Sequence, residues 1–316
     1  MQQRFFFILT FLLLFLSACQ SAPPLSRSPS QKADASLVLR DLIRVELSSA
    51  SIGNGTLALV QIKPLALSQV EELEENLRVE FEGLNLPVFR AGEKSAPELD
   101  AFLPVAYLRA PGVAHVEVSW RGLQEESKRV SLSFQVVLEK YHSEVLKVQA
   151  LKVSPTRKKD LERIQKEQAE VGAIYQKVTE EKHWKGSFQL PIESAVTSEF
   201  GTQRVYNGKF KNFHTGLDLR AAMNTPVYAP APGRVVLAKD LFFTGNTVMI
   251  DHGYGLITLY AHLNEFKVKK GDRVRTQQIL GLSGKTGRVN GPHLHWQSVI
   301  HGVKVNPLGL LQSWMP

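Results

Sequence analysis

Six of the nine histidines in this 316-residue chain fall between His214 and His301, and four of them stand where they could do chemistry. His214-Thr-Gly-Leu-Asp218 sets an imidazole and a carboxylate four residues apart. That offset shares a face in a helix and a side in an extended strand; Gly216 and the alternation of Leu217 and Leu219 favour the strand. His293-Leu-His295 follows the turn Gly291-Pro292, so in a strand both imidazoles point one way while Leu294 and Trp296 point the other. Tyr260-Ala-His262-Leu ends a strand-like run from Leu256. Two neutral imidazoles and one carboxylate suit zinc, with a fourth tetrahedral position left for water, as in catalytic zinc sites. Calcium and magnesium prefer oxygen ligands. Such a set keeps a charge of about +1 and brings the pKa of bound water to roughly 7. Two further histidines would then serve proton transfer and oxyanion stabilisation. Spacing alone does not tell which of His293 and His295 is the ligand, and no HExxH motif occurs.

Strands must position these residues, and the upstream chain is also strand-like. From Leu37 to about Val153, segments such as Thr56 to Ile62, Val113 to Trp120 and Val130 to Leu138 alternate apolar and polar residues between turn signals at Gly53-Asn54-Gly55, Gly83, Pro111-Gly112 and Gly122. An antiparallel β-sandwich, with an immunoglobulin-like arrangement among the options, is the natural packing. It offers no convergent ligands, and His115 and His142 read as structural or surface groups. Ser154-Pro155 then opens a helical pattern. Leu161, Ile164, Val171, Ile174, Tyr175 and Val178 mark one apolar face of a helix from about Pro155 to Glu181, expected to pack between two domains.

With 43% apolar and 22% charged residues the chain is globular, not disordered or collagen-like. The net charge of +8 is concentrated in residues 183–316, where fifteen basic residues face seven acidic ones. That points to an acidic polymer or surface as partner. Nucleic acid is not expected, because the basic residues are not interleaved with aromatics. Arg4, the apolar run Phe5 to Leu16 and the small residues Ser17 and Ala18 give the regions of a secretory signal. The single cysteine, Cys19, excludes a disulfide framework and a four-cysteine zinc site.

Two resemblances add to this reading. Leu16-Ser17-Ala18-Cys19 resembles a bacterial lipobox, which implies cleavage before Cys19, lipidation of its thiol and membrane tethering; Gln20 then implies the periplasmic face of an outer membrane. The strings HTGLDL at His214, YAHL at Tyr260 and GPHLHW at Gly291 are similar in order and spacing to the lysostaphin-type (LytM-like) zinc metallopeptidases that cut peptidoglycan cross-links. Segments such as Ser198-Glu-Phe-Gly201, Asp251-His-Gly253 and Val305-Asn-Pro307 extend the likeness from about Pro191 to Leu311. The resemblance implies one zinc ion on His214, Asp218 and His295, with His262 and His293 as the catalytic pair around a zinc-bound water nucleophile. It suggests Tyr206 and Asn207 as groove residues. Gln277 departs from the family, which often has glycine there, and this puts the local turn in question.

The expected architecture is therefore mainly β: a signal peptide (1–18), a flexible linker (19–36), a β-sandwich (37–153), a connecting helix (154–183) and an antiparallel β-sheet metallopeptidase domain (184–316). The expected function is a zinc endopeptidase acting on peptidoglycan peptide stems in the cell envelope. The rival is a non-catalytic or autoinhibited wall binder that activates other hydrolases, itself open to a protein activator. A barrel-sandwich carrier domain, suggested by Gly271-Asp-Arg-Val274, lacks a hairpin lysine in the required context.

Overall fold

The computed structural model describes residues 36–39, 43–64, 75–91, 98–121, 127–146, 155–206 and 210–312, all within one compact unit, Gln31–Pro316. Cys19, the leader and Asn207 lie outside the described residues, as does the side chain of Tyr206.

Apolar alternation builds the N-terminal half. In Ser127–Val137, Val130, Leu132, Phe134 and Val136 point inward while Ser131, Ser133 and Gln135 stay exposed, the period-two pattern of a half-buried strand. It lies in a five-stranded sheet with Ser51–Gly53, Gly112–Arg121, Arg78–Phe81 and Leu84–Leu86. A second five-stranded sheet, running Ser36–Leu39, Ile43–Leu47, Leu57–Pro64, Leu99–Pro104, Val88–Arg90, shares an apolar core with it. The pairing is antiparallel except between Ser51–Gly53 and Ser127–Val137, which run parallel.

The C-terminal half is a ten-stranded antiparallel sheet whose central strands are Leu217–Arg220, His293–Ile300, Leu256–Phe266, Gly245–Gly253 and Gly233–Leu241. One face is a large core containing Tyr260, Leu294, Trp296 and Ile300. This core continues into the N-terminal half through Leu57, Leu59, Phe89 and Phe102, which explains why Leu99–Pro104 is buried along its whole length: both of its faces are covered. A smaller three-stranded sheet, Ser143–Leu146, Gln203–Tyr206 and Phe210–Phe213, joins the two halves.

The helix differs from expectation. It runs Lys158–Gln176 (α1), ends at an extended Lys177, and starts from Arg157, whose guanidinium Nε donates to Asp160 at 2.7 Å. Val171, Ile174 and Tyr175 pack on Leu237, Met249, Leu259 and Val299, so α1 covers the C-terminal sheet's other face and does not lie between the halves. The segment after it takes that place. Trp184 stacks on Phe102 at 5.6 Å and meets Phe89 edge-on at 5.4 Å, while Lys182 Nζ donates to the carbonyls of Arg90 and Ala91 at 2.9 Å each. Residues 177–183 leave the helix because the Asp251–Tyr254 turn holds them extended: the Tyr254 amide donates to Thr179 O at 2.6 Å and Thr179 Oγ1 donates to Asp251 Oδ2 at 2.6 Å.

Candidate metal centre

The sheet register brings the expected residues to one place. Asp218 and His295 are direct cross-strand partners, and His295 faces Ala261 on its other side. His214 does not lie in the strand. It precedes a bend at Gly216, and its backbone is held by Thr202 and Gly201 at 2.8 Å each. A Cβ on Gly216 would fall 2.6 Å from Trp296 O and 2.7 Å from His295 Nε2, so the bend that folds His214 over Asp218 needs glycine. His262 is turned out by a β-bulge opposite Thr247 and takes a left-handed φ of 63°. Bulges of this kind re-aim side chains beside functional sites.

His214 Nε2, Asp218 Oδ1 and His295 Nδ1 form a near-equilateral triangle with edges of 2.9, 2.9 and 2.8 Å. All three residues are buried. Hydrogen bonding within the trio cannot satisfy it. His214 Nδ1 lies 3.0 Å from Glu199 O, a pure acceptor, so it carries the ring proton. His214 Nε2 is then a lone pair facing a carboxylate oxygen, and a proton on His295 Nδ1 could serve one of these two acceptors but not both. A divalent cation satisfies all three, and a His-Asp-His donor set is consistent with zinc. Burial would raise the Asp218 carboxyl, but the imidazoles of His214 and His295 against it hold it well below the usual carboxylate range. Burial pushes His295 down, against the pull of Asp218.

His293 stands apart from the trio, its Nε2 3.7 Å from Asp218 Oδ1. Its ring pairs with His262, centroid to centroid 4.9 Å. The two rings are fixed alike: His262 Nδ1 lies 2.9 Å from Thr286 O and His293 Nδ1 3.0 Å from Gly291 O. Each Nδ1 therefore donates, and each Nε2 keeps a lone pair. Burial, followed by the neighbouring His295 and His293, pushes His262 down to about 3, so its ring is neutral at ordinary pH.

Sequence reasoning gave no role to Arg204, yet its Nη2 donates to Asp218 Oδ2 at 3.1 Å and to Ser198 Oγ at 3.0 Å. Its Nε is buried without a hydrogen bond, with Glu144 Oε2 at 3.9 Å. Only the three-stranded sheet carries Arg204 and Glu144 to the centre, and no spacing signal could have done so. His252 is fully buried, bonded to Pro232 O at 2.6 Å and Thr258 Oγ1 at 2.7 Å, a satisfied core histidine.

Residues 212–307 match the family described as Peptidase family M23. The chain is 39% identical over 123 residues to peptidoglycan DD-endopeptidase ShyA of Vibrio cholerae serotype O1, covering 38% of this chain and 29% of that protein. It is 38% identical over 128 residues to the DD-carboxypeptidase/endopeptidase Mpg of Neisseria meningitidis serogroup B, covering 40% and 30%. It thus spans about three-tenths of the length of these curated relatives. A crystal structure titled a putative peptidase M23 from Pseudomonas aeruginosa is 28% identical, with a TM-score of 0.62 over 82% of this chain and 95% of that one. That likeness takes in both halves of the fold. The matched segment holds all five of the converging histidine and aspartate residues, His214, Asp218, His262, His293 and His295.

Proposed function

We propose that the chain is a zinc-dependent endopeptidase that hydrolyses peptide cross-links of peptidoglycan. The observation that carries this reading is the triangle of His214, Asp218 and His295 beside a second pair of histidines with accepting Nε2 atoms. Relatives named as peptidoglycan DD-endopeptidases support the substrate. When bound, zinc supplies a Lewis acid that polarises the scissile carbonyl and water beside it. Arg204 holds the outer oxygen of Asp218 so that Oδ1 keeps its aim. His262, neutral in its buried setting, accepts a hydrogen bond at Nε2 and orients the water. His293, the more exposed ring, takes the proton at Nε2 and returns it to the leaving amine. The same reading has the protein in the cell envelope, tethered through lipidated Cys19; fatty-acid labelling lost on Cys19→Ala tests that part.

The function is tested by zinc analysis of the purified chain and mass spectrometry of defined cross-linked muropeptides after digestion. The parent should hold one zinc and split the dimers. His295→Ala should lose the metal, and His262→Ala should keep it while turnover falls roughly 10²- to 10⁴-fold. Zinc retained with no dimer split would sink the hydrolase reading in favour of a non-catalytic wall binder.

A further inference from the structure

Beside the metal centre, α1 and the C-terminal sheet enclose a cavity of about 360 Å³ lined by His295, Thr215, Gln297, Tyr175, Glu167 and Lys304. His295, Gln297 and Val299 project from one face of one strand, and Lys304 is the cross-strand partner of Val299. The backbones at His295 and Lys304 are therefore roughly 14 Å apart. Allowing for the reach of the lysine, that leaves about two to three extended peptide residues between them.

The charges in this cavity do not balance. Its one carboxylate, Glu167, is spent: Oε1 accepts from Arg163 Nε at 2.6 Å and Oε2 from the Phe242 amide at 2.7 Å. Lys304 has no hydrogen bond or ion pair among the described residues, and burial pushes its ammonium down. Gln297 Nε2 donates to the Tyr175 hydroxyl oxygen at 2.9 Å, while Gln297 Oε1 accepts from Thr215 at 3.0 Å. The Tyr175 proton therefore has no acceptor among the described residues. A half-buried cation and a hydroxyl donor, both unspent, line a cavity whose walls also carry Val171, Leu241, Phe243 and Leu259, with Gln168 and Thr244 beside them. An uncompensated buried charge is costly unless something pairs with it.

We propose that this cavity is a carboxylate subsite, in which Lys304 and the Tyr175 hydroxyl take a free carboxylate of the substrate peptide two to three residues from the bond held over His295. The proposal rests on the peptidase reading and narrows its substrate class to peptides that keep a free carboxylate near the scissile amide. The apolar walls suit the stem of an amino acid with its charge at the far end.

The test uses the zinc-loaded full chain carrying His262→Ala, so that binding is read without turnover. The probes are a cross-linked muropeptide dimer with free carboxylates and the same dimer amidated. The free form should bind at least about tenfold more tightly, the range of a hydrogen bond to a charged group. Lys304→Met should remove that preference and leave the amidated dimer unaffected, and Lys304→Arg should restore most of it. Should Lys304→Met fail to fold or to hold zinc, Tyr175→Phe removes one donor and should lower the preference a few-fold. Equal affinity for the two dimers, or equal weakening of both by Lys304→Met, overturns the subsite. Turnover by the parent separates the two ideas: splitting of both dimers without preference keeps the peptidase and removes the subsite. A binding preference without splitting does the reverse.

Discussion

Two aspartates, one in the C-terminal sheet and one in the N-terminal half, are buried and behave in opposite ways. Asp218 is 7% exposed in the metal centre and Asp100 is 2% exposed in the seam against the N-terminal half. Asp218 is held well below the usual carboxylate range, whereas burial, only partly offset by Lys182, pushes Asp100 up to about 7. Desolvation is the largest influence on both. The difference lies in the donors: Asp218 Oδ2 accepts from Arg204 and its Oδ1 lies 2.8 Å from His295 Nδ1, while Lys182 gives its hydrogen bonds to the carbonyls of Arg90 and Ala91 and lies over the rings of Phe89 and Trp184. Fixed donors, not depth, keep a buried carboxylate charged. A charged carboxylate among lone pairs makes a metal site, and one without donors makes a pH-sensitive seam.

The strongest way to break this contrast is Asp218→Asn. It preserves shape but removes the charge that makes the triangle a cation site, so stoichiometric zinc and cross-link splitting should both be lost. Retention of one zinc per chain by the variant would show that the imidazoles alone suffice.

Asp100→Asn tests the seam. Asp100 binds its proton more tightly in the folded chain than in the unfolded one, so its contribution to stability is complete below pH 3.8 and is lost as pH rises through about 7. A rise from 3.8 to about 7, the offset from Lys182 already included, corresponds to on the order of 4 kcal/mol. Thermal melts should show the parent losing stability from pH 4 to pH 8, and Asp100→Asn losing much less. Parallel pH profiles would mean that Asp100 stays paired throughout.

Arg204→Met carries the contrast back to the metal centre with a smaller effect. Removing the donor to Asp218 Oδ2 should weaken zinc binding by roughly 10- to 100-fold, read by competition with a chromophoric chelator. Glu144→Gln, its carboxylate 3.9 Å from Arg204 and 38% exposed, should change it far less.

The two regions also differ in how much of them the sequence revealed. The candidate centre was legible in part: rare residue types at offsets that a strand puts on one side marked His293 and His295, but spacing left open which of them joins His214 and Asp218, and only the resemblance implied His295. The bend at Gly216 was not, since a spacing of four fits strand, helix and bend alike. The seam left no such signal. Phe89, Phe102 and Trp184 look like any core residues, and Thr179 to Lys182 continue the helical pattern until the Asp251–Tyr254 turn pulls them straight. That is tertiary contact overriding local preference.

The smallest effect is expected at Gln277, where the resembling family often has glycine. The turn keeps a left-handed shape, with φ of 63° at a residue that has a side chain. Its amide donates to Ala229 O at 2.9 Å and its side chain to Gln189 Oε1 at 2.5 Å, tying the turn to the segment that also carries Trp184. Glycine would relieve a left-handed cost of about 1 kcal/mol, but it would lose the side-chain hydrogen bond and gain freedom in the unfolded chain, each of similar size. Gln277→Gly should therefore shift stability by less than about 1 kcal/mol in denaturant titrations. A β-branched side chain adds steric cost at positive φ with nothing to offset it, so Gln277→Val should destabilise clearly more, with zinc binding unchanged in both variants. If Val is tolerated as well as Gly, residue 277 is not held at a left-handed φ.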